Sequence, residues 1–369
     1  MKIQPESATK TANIIIDFFS NIDRIDDYFR LRKIERVKNL PAPIPGFGLE
    51  DDMFQNYDMH PEDMDIEVAQ IDNQTFNAML EKVASFSPDQ APGKELKLVV
   101  KEKNTNTLLG FIKLGSPIIN SKPRNNYLGD VPELTIFNQR AIMGFVIVPV
   151  QPFGFNYLGG KLMALICTSH KVREMLNDKY DTEFCLFETT SLYGNIKGMS
   201  MYDGLKPFLR FKGDTESKFV PTLGEEAYAS CKKIIEDDVQ GEIIHKDASS
   251  RKLKITTKMI SLIKSSLKET DMELHDKFVS AIKKAESVTT QKRFYMSDYG
   301  YENTRDVLLG KTETLIKGPN YHKHDLENII SWWKRKASSR YNKLKSEDRI
   351  REELEVWNAD TMNKIDIIR

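Results

Sequence analysis

The chain has 369 residues, of which 40% are hydrophobic, 29% charged and 9% aromatic. That apolar content supports a packed core, excludes a wholly disordered chain, and allows one large domain or two to three modest ones. Lysine plus arginine equals aspartate plus glutamate at 54 each, so any basic surface must be local. Cys167, Cys185 and Cys231 are odd in number and far apart, which excludes a disulfide scaffold and a Cys-rich zinc module and fits a reducing interior.

In chain order, residues 1–40 read as helix, because Ile15, Phe18, Phe19, Ile22, Ile25, Tyr28 and Phe29 recur at three- and four-residue steps. A Pro- and Gly-rich turn, Pro41 to Gly48, and an acidic loop, Glu50 to Glu67, follow. Gln74 to Ser85 reads as a short helix closed by Pro88 and Pro92-Gly93. From Glu95 the period becomes strand-like. Leu96–Lys101 and Leu108–Leu114 form a hairpin through Asn104-Thr105-Asn106. After a polar excursion, Ala141 to Val150 reads as a strand buried on both faces. A glycine-bearing turn (Gly154, Gly159, Gly160) leads into a helix with Leu162, Leu165, Ile166, Val172 and Leu176 inward. Phe184–Thr189 and Phe208–Lys212 are the last predicted strands, and 222–290 and 322–358 read as charged helices. The expected organisation is a helical and loop arm (1–93), a central α/β domain (94–220) and a mainly helical C-terminal region (221–369). No apolar segment follows Met1–Pro5, and the longest apolar stretch has ten residues against the ~20 that a bilayer requires. A cytoplasmic protein without membrane contact is expected.

A strand feeding a helix through glycines presents unpaired N–H groups that favour an anion, although ordinary strand–helix packing uses glycine in the same way. Leu109-Gly110-Phe111-Ile112, Phe145-Val146-Ile147-Val148-Pro149, Leu158-Gly159-Gly160-Lys161-Leu162 and Glu188-Thr189-Thr190 with Asn195 and Met201-Tyr202 resemble, in that order, segments of the GNAT acyltransferases. The stretch resembles still more closely the DruA family, a GNAT-like group named for the Druantia anti-phage system and found also in phages and mobile elements. The pieces that carry this are Leu109-Gly110-Phe111, Arg140 to Pro149, Leu158 to Leu162, Tyr180 and Phe187-Glu188-Thr189. The resemblance covers about a third of the chain and leaves out the arm before Glu95 and the region after Lys218. It implies an α/β fold with a GNAT-like mixed sheet and flanking helices, with helical N- and C-terminal extensions. It also implies partners from a phage or defence system.

For an acyl-CoA-like ligand, the resemblance implies a binding set of Phe145, Ile147, Val148, Asn156, Gly159, Gly160, Lys161 and Asn195. Backbone groups of Phe145 to Val148 would pair with a pantetheine arm, and the N–H groups near Gly159 and Gly160 would hold a pyrophosphate. Glu188 would act as general base and Tyr202 as the acid that protonates the leaving thiolate, in group transfer to a nucleobase or an amine. The bland alternatives are an ion-pair partner such as Arg140 for Glu188, a core tyrosine for Tyr202 and a turn cap for Asn195. A non-catalytic DNA-binding or assembly module on the same fold is the competing function.

Independently of the resemblance, Trp332 to Lys345 mixes cations with aromatic rings, and residues 288–345 hold 12 Lys and Arg against 6 Asp and Glu. Lys292, Arg293, Trp333, Lys334, Arg335, Lys336 and Arg340 are therefore candidate contacts to DNA or RNA, since cations neutralise phosphates and rings stack on bases. The alternative is an amphipathic helix with inward tryptophans, its cations paired with Glu347 to Glu355. No metal site is expected: His322-Lys323-His324-Asp325 has its histidines at i and i+2, which do not share a helical face. A helical Cys167–His170 pair is a minor candidate for nucleophile and base.

Overall fold

The structure, a computed structural model, describes residues 2–38, 50–86, 93–216, 222–244, 251–288 and 291–367. The Pro41–Gly48 turn, Pro88 and Pro92 lie outside the described residues. The helices are α1 (Pro5–Ser20), α2 (Ile25–Lys38), α3 (Asn73–Val83), α4 (Lys122–Leu128), α5 (Leu134–Arg140), α6 (Phe153–Asn156) and α7 (Gly159–Cys167). They continue with α8 (His170–Tyr180), α9 (Leu192–Ile196), α10 (Glu225–Val239), α11 (Arg251–Thr270), α12 (Met272–Ser287), α13 (Thr304–Leu308) and α14 (Leu326–Ser346). The strands are β1 (Ile66–Gln70), β2 (Glu95–Glu102), β3 (Thr107–Gly115), β4 (Ala141–Pro149), β5 (Leu186–Ser191), β6 (Arg210–Asp214) and β7 (Arg293–Ser297).

Packing divides the chain into two units, 1–39 with 217–290 and 40–216 with 291–367. In the first, α1 buries Ala8, Ala12, Ile15 and Phe19 and packs against α10, α11 and α12, which supply Ile235, Met259, Ile263 and Phe278. The helix expected over 1–40 is two helices. The Asp27 carboxylate accepts the N–H groups of Asp23 (3.2 Å) and Arg24 (2.8 Å), which starts α2 afresh.

The second unit is built on a seven-stranded mixed sheet in the order β1-β2-β3-β4-β5-β7-β6. It is wider than the 94–220 block, because β1 starts at the end of the acidic stretch, before Glu95, and β7 comes from the C-terminal region. The β2–β3 hairpin turns at Asn104–Asn106, where the buried Glu102 carboxylate accepts from Thr105 N (2.7 Å), Thr105 Oγ1 (2.8 Å) and Asn104 Nδ2 (3.0 Å). Every pairing is antiparallel except β4 with β5.

On one sheet face, Phe76, Met79, Leu80 and Val83 of α3 cover Val99, Phe111 and Val146. The other face carries the larger core, in which Leu162, Met163 and Ile166 of α7 and Trp333 and Tyr341 of α14 meet Leu98, Ile112 and Ile147. Each large side chain sealed this way contributes about 1.5–3 kcal/mol. Apolar faces on both sides of the sheet explain why β4 reads as one unbroken apolar run.

Candidate functional site

The site the sequence points to lies where β4 and β5 part. Their parallel ladder runs from Ala141↔Leu186 to Gly144↔Thr189, and Thr189 Oγ1 donates to the Gly144 carbonyl at 3.0 Å. Beyond that, β5 pairs with β7 and β4 with β3. The next residue of β4, Phe145, is a bulge: Val146 opposes Lys113 and Gly144 opposes Leu114, which leaves Phe145 unpaired. A bulge bends its strand and raises the local twist, so it gives the divergence a physical cause. Phe145 and Val148 are half-buried there, and Ile147 belongs to the core.

The glycine turn carries α6 and then α7, entered through Leu158 in the left-handed region (φ 55°). Gly159 and Gly160 are buried. A Cβ on Gly159 would lie 2.6 Å from the Phe153 ring, and one on Gly160 would lie 2.8 Å from Met201 Sδ. The close approach that glycine permits is therefore used by the chain's own side chains. Lys161 Nζ donates to the carbonyls of Met201 (3.1 Å) and Asp203. Asn156 is fully buried and clamps the Arg351 main chain, donating to its carbonyl (2.7 Å) and accepting its N–H (3.0 Å). Asn195, in α9, donates to the Gln291 carbonyl, while Ser191 caps that helix through Gly194 N.

Glu188 and Arg124 are both wholly enclosed and form an ion pair at 3.1 Å. Arg124 also donates to the Ile118 and Ile119 carbonyls and lies 4.1 Å from the Phe137 ring centroid. Arg140, the partner expected for Glu188, instead pairs with Glu183 at 3.5 Å. Burial pushes the Glu188 carboxyl up to about 7 against the pull of Arg124.

Tyr202 is buried beside the Tyr295 ring (5.3 Å), and its hydroxyl, held well above the usual phenol range by burial, meets the Thr189 side chain. Successive residues of a strand face opposite ways, so Glu188 points toward α4 while Thr189 points toward Tyr202. The two candidate catalytic groups are thus not brought together. Beside Tyr202 stands a polar cluster with no counterpart among the candidates except Arg293. Asp203 accepts from Tyr295 Oη (2.8 Å), Arg293 Nη1 (2.9 Å) and Ser200 N (3.0 Å).

The basic-aromatic candidates separate by depth. Trp333 is fully buried and donates its indole N–H to the Tyr157 carbonyl at 2.9 Å, so it presents no ring face to a base. Lys334 donates to the Glu62 carbonyl (2.8 Å), and Arg340 donates to that of Phe155 (2.7 Å). Arg335 and Lys336 are exposed and meet no carboxylate within ion-pair distance among the described residues, while Glu347 takes Lys343 and Arg349 instead. Lys292 pairs through its main chain with Thr215, and burial lowers its ammonium pKa. Arg293 joins β7 to Asp203.

His322 is exposed and 3.7 Å from Asp325, whereas His324 is buried with Nδ1 at 2.7 Å from the Thr168 carbonyl, so the two imidazoles diverge. Cys167 donates to the Met163 carbonyl (3.2 Å), and burial holds its thiol well above the usual range. His170 bonds the Tyr321 carbonyl (2.9 Å) and accepts from Arg173 Nε (3.3 Å). Among the described residues no group of three or more His, Cys, Asp or Glu could hold a metal ion, and no helix is long and apolar enough to cross a membrane. Sequence reasoning missed Arg124, Asp203, Arg349 and Arg351, and met Tyr295 only as part of the basic-aromatic run Lys292-Arg293-Phe294-Tyr295. The basic character of the three arginines was visible in the sequence, but not what they meet.

A mixed sheet with helices on both faces makes this an α/β protein. Residues 47–200 match the model of the family described as Druantia protein DruA, so the chain carries a DruA-like domain. The match starts well before Glu95, correcting the expected extent: it takes in β1 and α3 and runs through α9, leaving β6, β7 and α14 outside. No curated protein and no solved structure matches the chain.

Proposed function

We propose that this protein is a non-catalytic nucleic-acid-binding module of an anti-phage defence system, with the DruA-like sheet domain as its scaffold. The observation that carries the reading is the build of α14. Ile329, Trp333, Ala337, Tyr341 and Leu344 lock one side of the helix into the core, and Arg335 and Lys336 are exposed outside that stripe, Lys336 over the Trp332 ring. Cations on a helix that cannot rotate are a ready contact for a phosphate backbone. Glu188, sealed under Arg124 on the sheet face opposite Tyr202, supports a role without proton transfer. The test is DNA affinity against salt for the full chain and for the triple variant Lys334→Ala, Arg335→Ala, Lys336→Ala. The reading expects weaker binding and a log–log salt slope flatter by about 2–3. Equal slopes would remove α14 from the contact.

A second reading, transfer of a group from an acyl-CoA-like ligand within a GNAT-like fold, is favoured by the parting of β4 and β5 after Gly144. Its test is thermal unfolding with millimolar acetyl-CoA. A ligand at 100 times its Kd stabilises the native state by about 2.7 kcal/mol. The non-catalytic reading expects no change.

A further inference from the structure

Where α14 ends, the chain sets two guanidinium groups on one aromatic ring and a third beside them. Arg351 lies 3.7 Å and Arg340 4.6 Å from the Phe155 ring centroid. Arg349 is close enough that, after burial, it and Arg351 are what lower the Arg340 pKa. Two carboxylates partly balance them: Glu347 is 2.6 Å from Arg349, and Glu355 is 3.8 Å from Arg351. Arg340 meets no carboxylate within ion-pair distance among the described residues, and the side chains of Arg349 and Arg351 are 58% and 54% exposed. Their supports are rigid. Asn156 clamps the Arg351 main chain from both sides, Glu355 N donates to the Gln151 carbonyl at 3.0 Å, and Arg340 Nε is held by the Phe155 carbonyl.

Like charges held this closely repel unless an anion joins them. A guanidinium stacked on a ring keeps its in-plane N–H groups directed outward, the geometry that grips phosphate. Lys336 and Lys343 stand at i−4 and i+3 from Arg340, so the cations continue along one side of α14 for about 10 Å. That length fits an extended polyanion better than a single phosphate group.

We propose that Arg340 and Arg351 on Phe155, with Arg349 beside them, form a phosphate-binding corner that seats the backbone of a nucleic acid. The proposal rests on the nucleic-acid reading above and names a site for it whose three arginines lie outside the residues matched to the DruA family, while Phe155 lies within them.

The experiment measures binding of labelled single-stranded and duplex DNA to the full chain, with Arg349→Gln/Arg351→Gln as the variant, from 50 to 300 mM salt. The corner predicts a salt slope flatter by about 2 and an affinity at least tenfold lower at low salt, with an unchanged thermal midpoint. Arg349→Lys/Arg351→Lys should recover most of the slope. Arg349→Glu, at a side chain that touches no ring, is the second variant and should weaken binding more than Arg349→Gln alone. If the parent binds DNA and these variants bind equally well, the corner is refuted while the nucleic-acid reading stands. If the parent does not bind DNA, both fail together.

Discussion

Arg124 and Glu188, 64 positions apart in sequence, meet at 3.1 Å with neither side chain exposed. The arginine also donates hydrogen bonds to the Ile118 and Ile119 carbonyls, so one buried cation ties β5, α4 and the preceding loop together. Removing one partner of such a pair leaves a bare charge in the core. Arg124→Ala should cost about 3–5 kcal/mol and lower the thermal midpoint by roughly 10 °C. Glu188→Gln, which keeps the shape and a carbonyl acceptor, should cost clearly less; equal losses would mean that the pair's charge, rather than its shape and hydrogen bonds, carries the whole contribution.

Two buried groups make opposite contributions to pH dependence. Burial raises the Glu188 carboxyl from 4.5 to about 7, so the folded state holds that proton more tightly and stability falls as pH rises across that window. Burial lowers the His170 imidazole from 6.5 to about 4, so the unfolded chain takes up that proton more readily and stability rises with pH between those values. Urea midpoints from pH 4.5 to 7 should therefore rise more steeply with pH in Glu188→Gln than in the parent. In His170→Gln they should rise less steeply with pH than in the parent, the buried His324 keeping part of the rise. Parallel curves for all three proteins would remove the assigned shifts.

The two adjacent glycines of α7 should respond differently to a methyl group. Gly159→Ala drives a Cβ against the enclosed Phe153 ring and the Gly154 main chain, and should cost about 1–3 kcal/mol. At Gly160 the obstacle is the tip of the exposed, flexible Met201 side chain, so Gly160→Ala should cost under about 1 kcal/mol. Thermal unfolding of the two variants checks this, and a larger loss at Gly160 would contradict the packing described.

What could be read from the sequence was local. Alternation marked β2 and β3, and the Val- and Ile-rich run marked β4 almost to the residue. The short strands β1, with its acidic flank, and β7, between charged helices, have five residues each and owe their place to partners distant in sequence. No local pattern specifies such partners. The same limit applied at the site. Glu188 read as the tail of a buried strand, whereas β5 runs on to Ser191 and Glu188 lies within it, and its cation came from Arg124 in the polar excursion and not from Arg140. The Trp332-Trp333 pair could not be split by composition, because only the α14 packing decides which ring is enclosed.

That split is measurable. Trp333→Ala should cost about 3–5 kcal/mol through the cavity and the lost bond to the Tyr157 carbonyl. Trp332→Ala, at a half-buried ring, should cost less than half as much. Chemical denaturation of both variants tests the assignment, and the reverse order would mean that α14 is rotated.

The most direct test of the account is equilibrium binding of the full chain to labelled DNA across a salt series. A module that works through fixed cations predicts log affinity falling linearly with log salt concentration, with Glu188→Gln giving the same line. No binding at 50 mM salt, or a line that Glu188→Gln displaces without unfolding the protein, would contradict it.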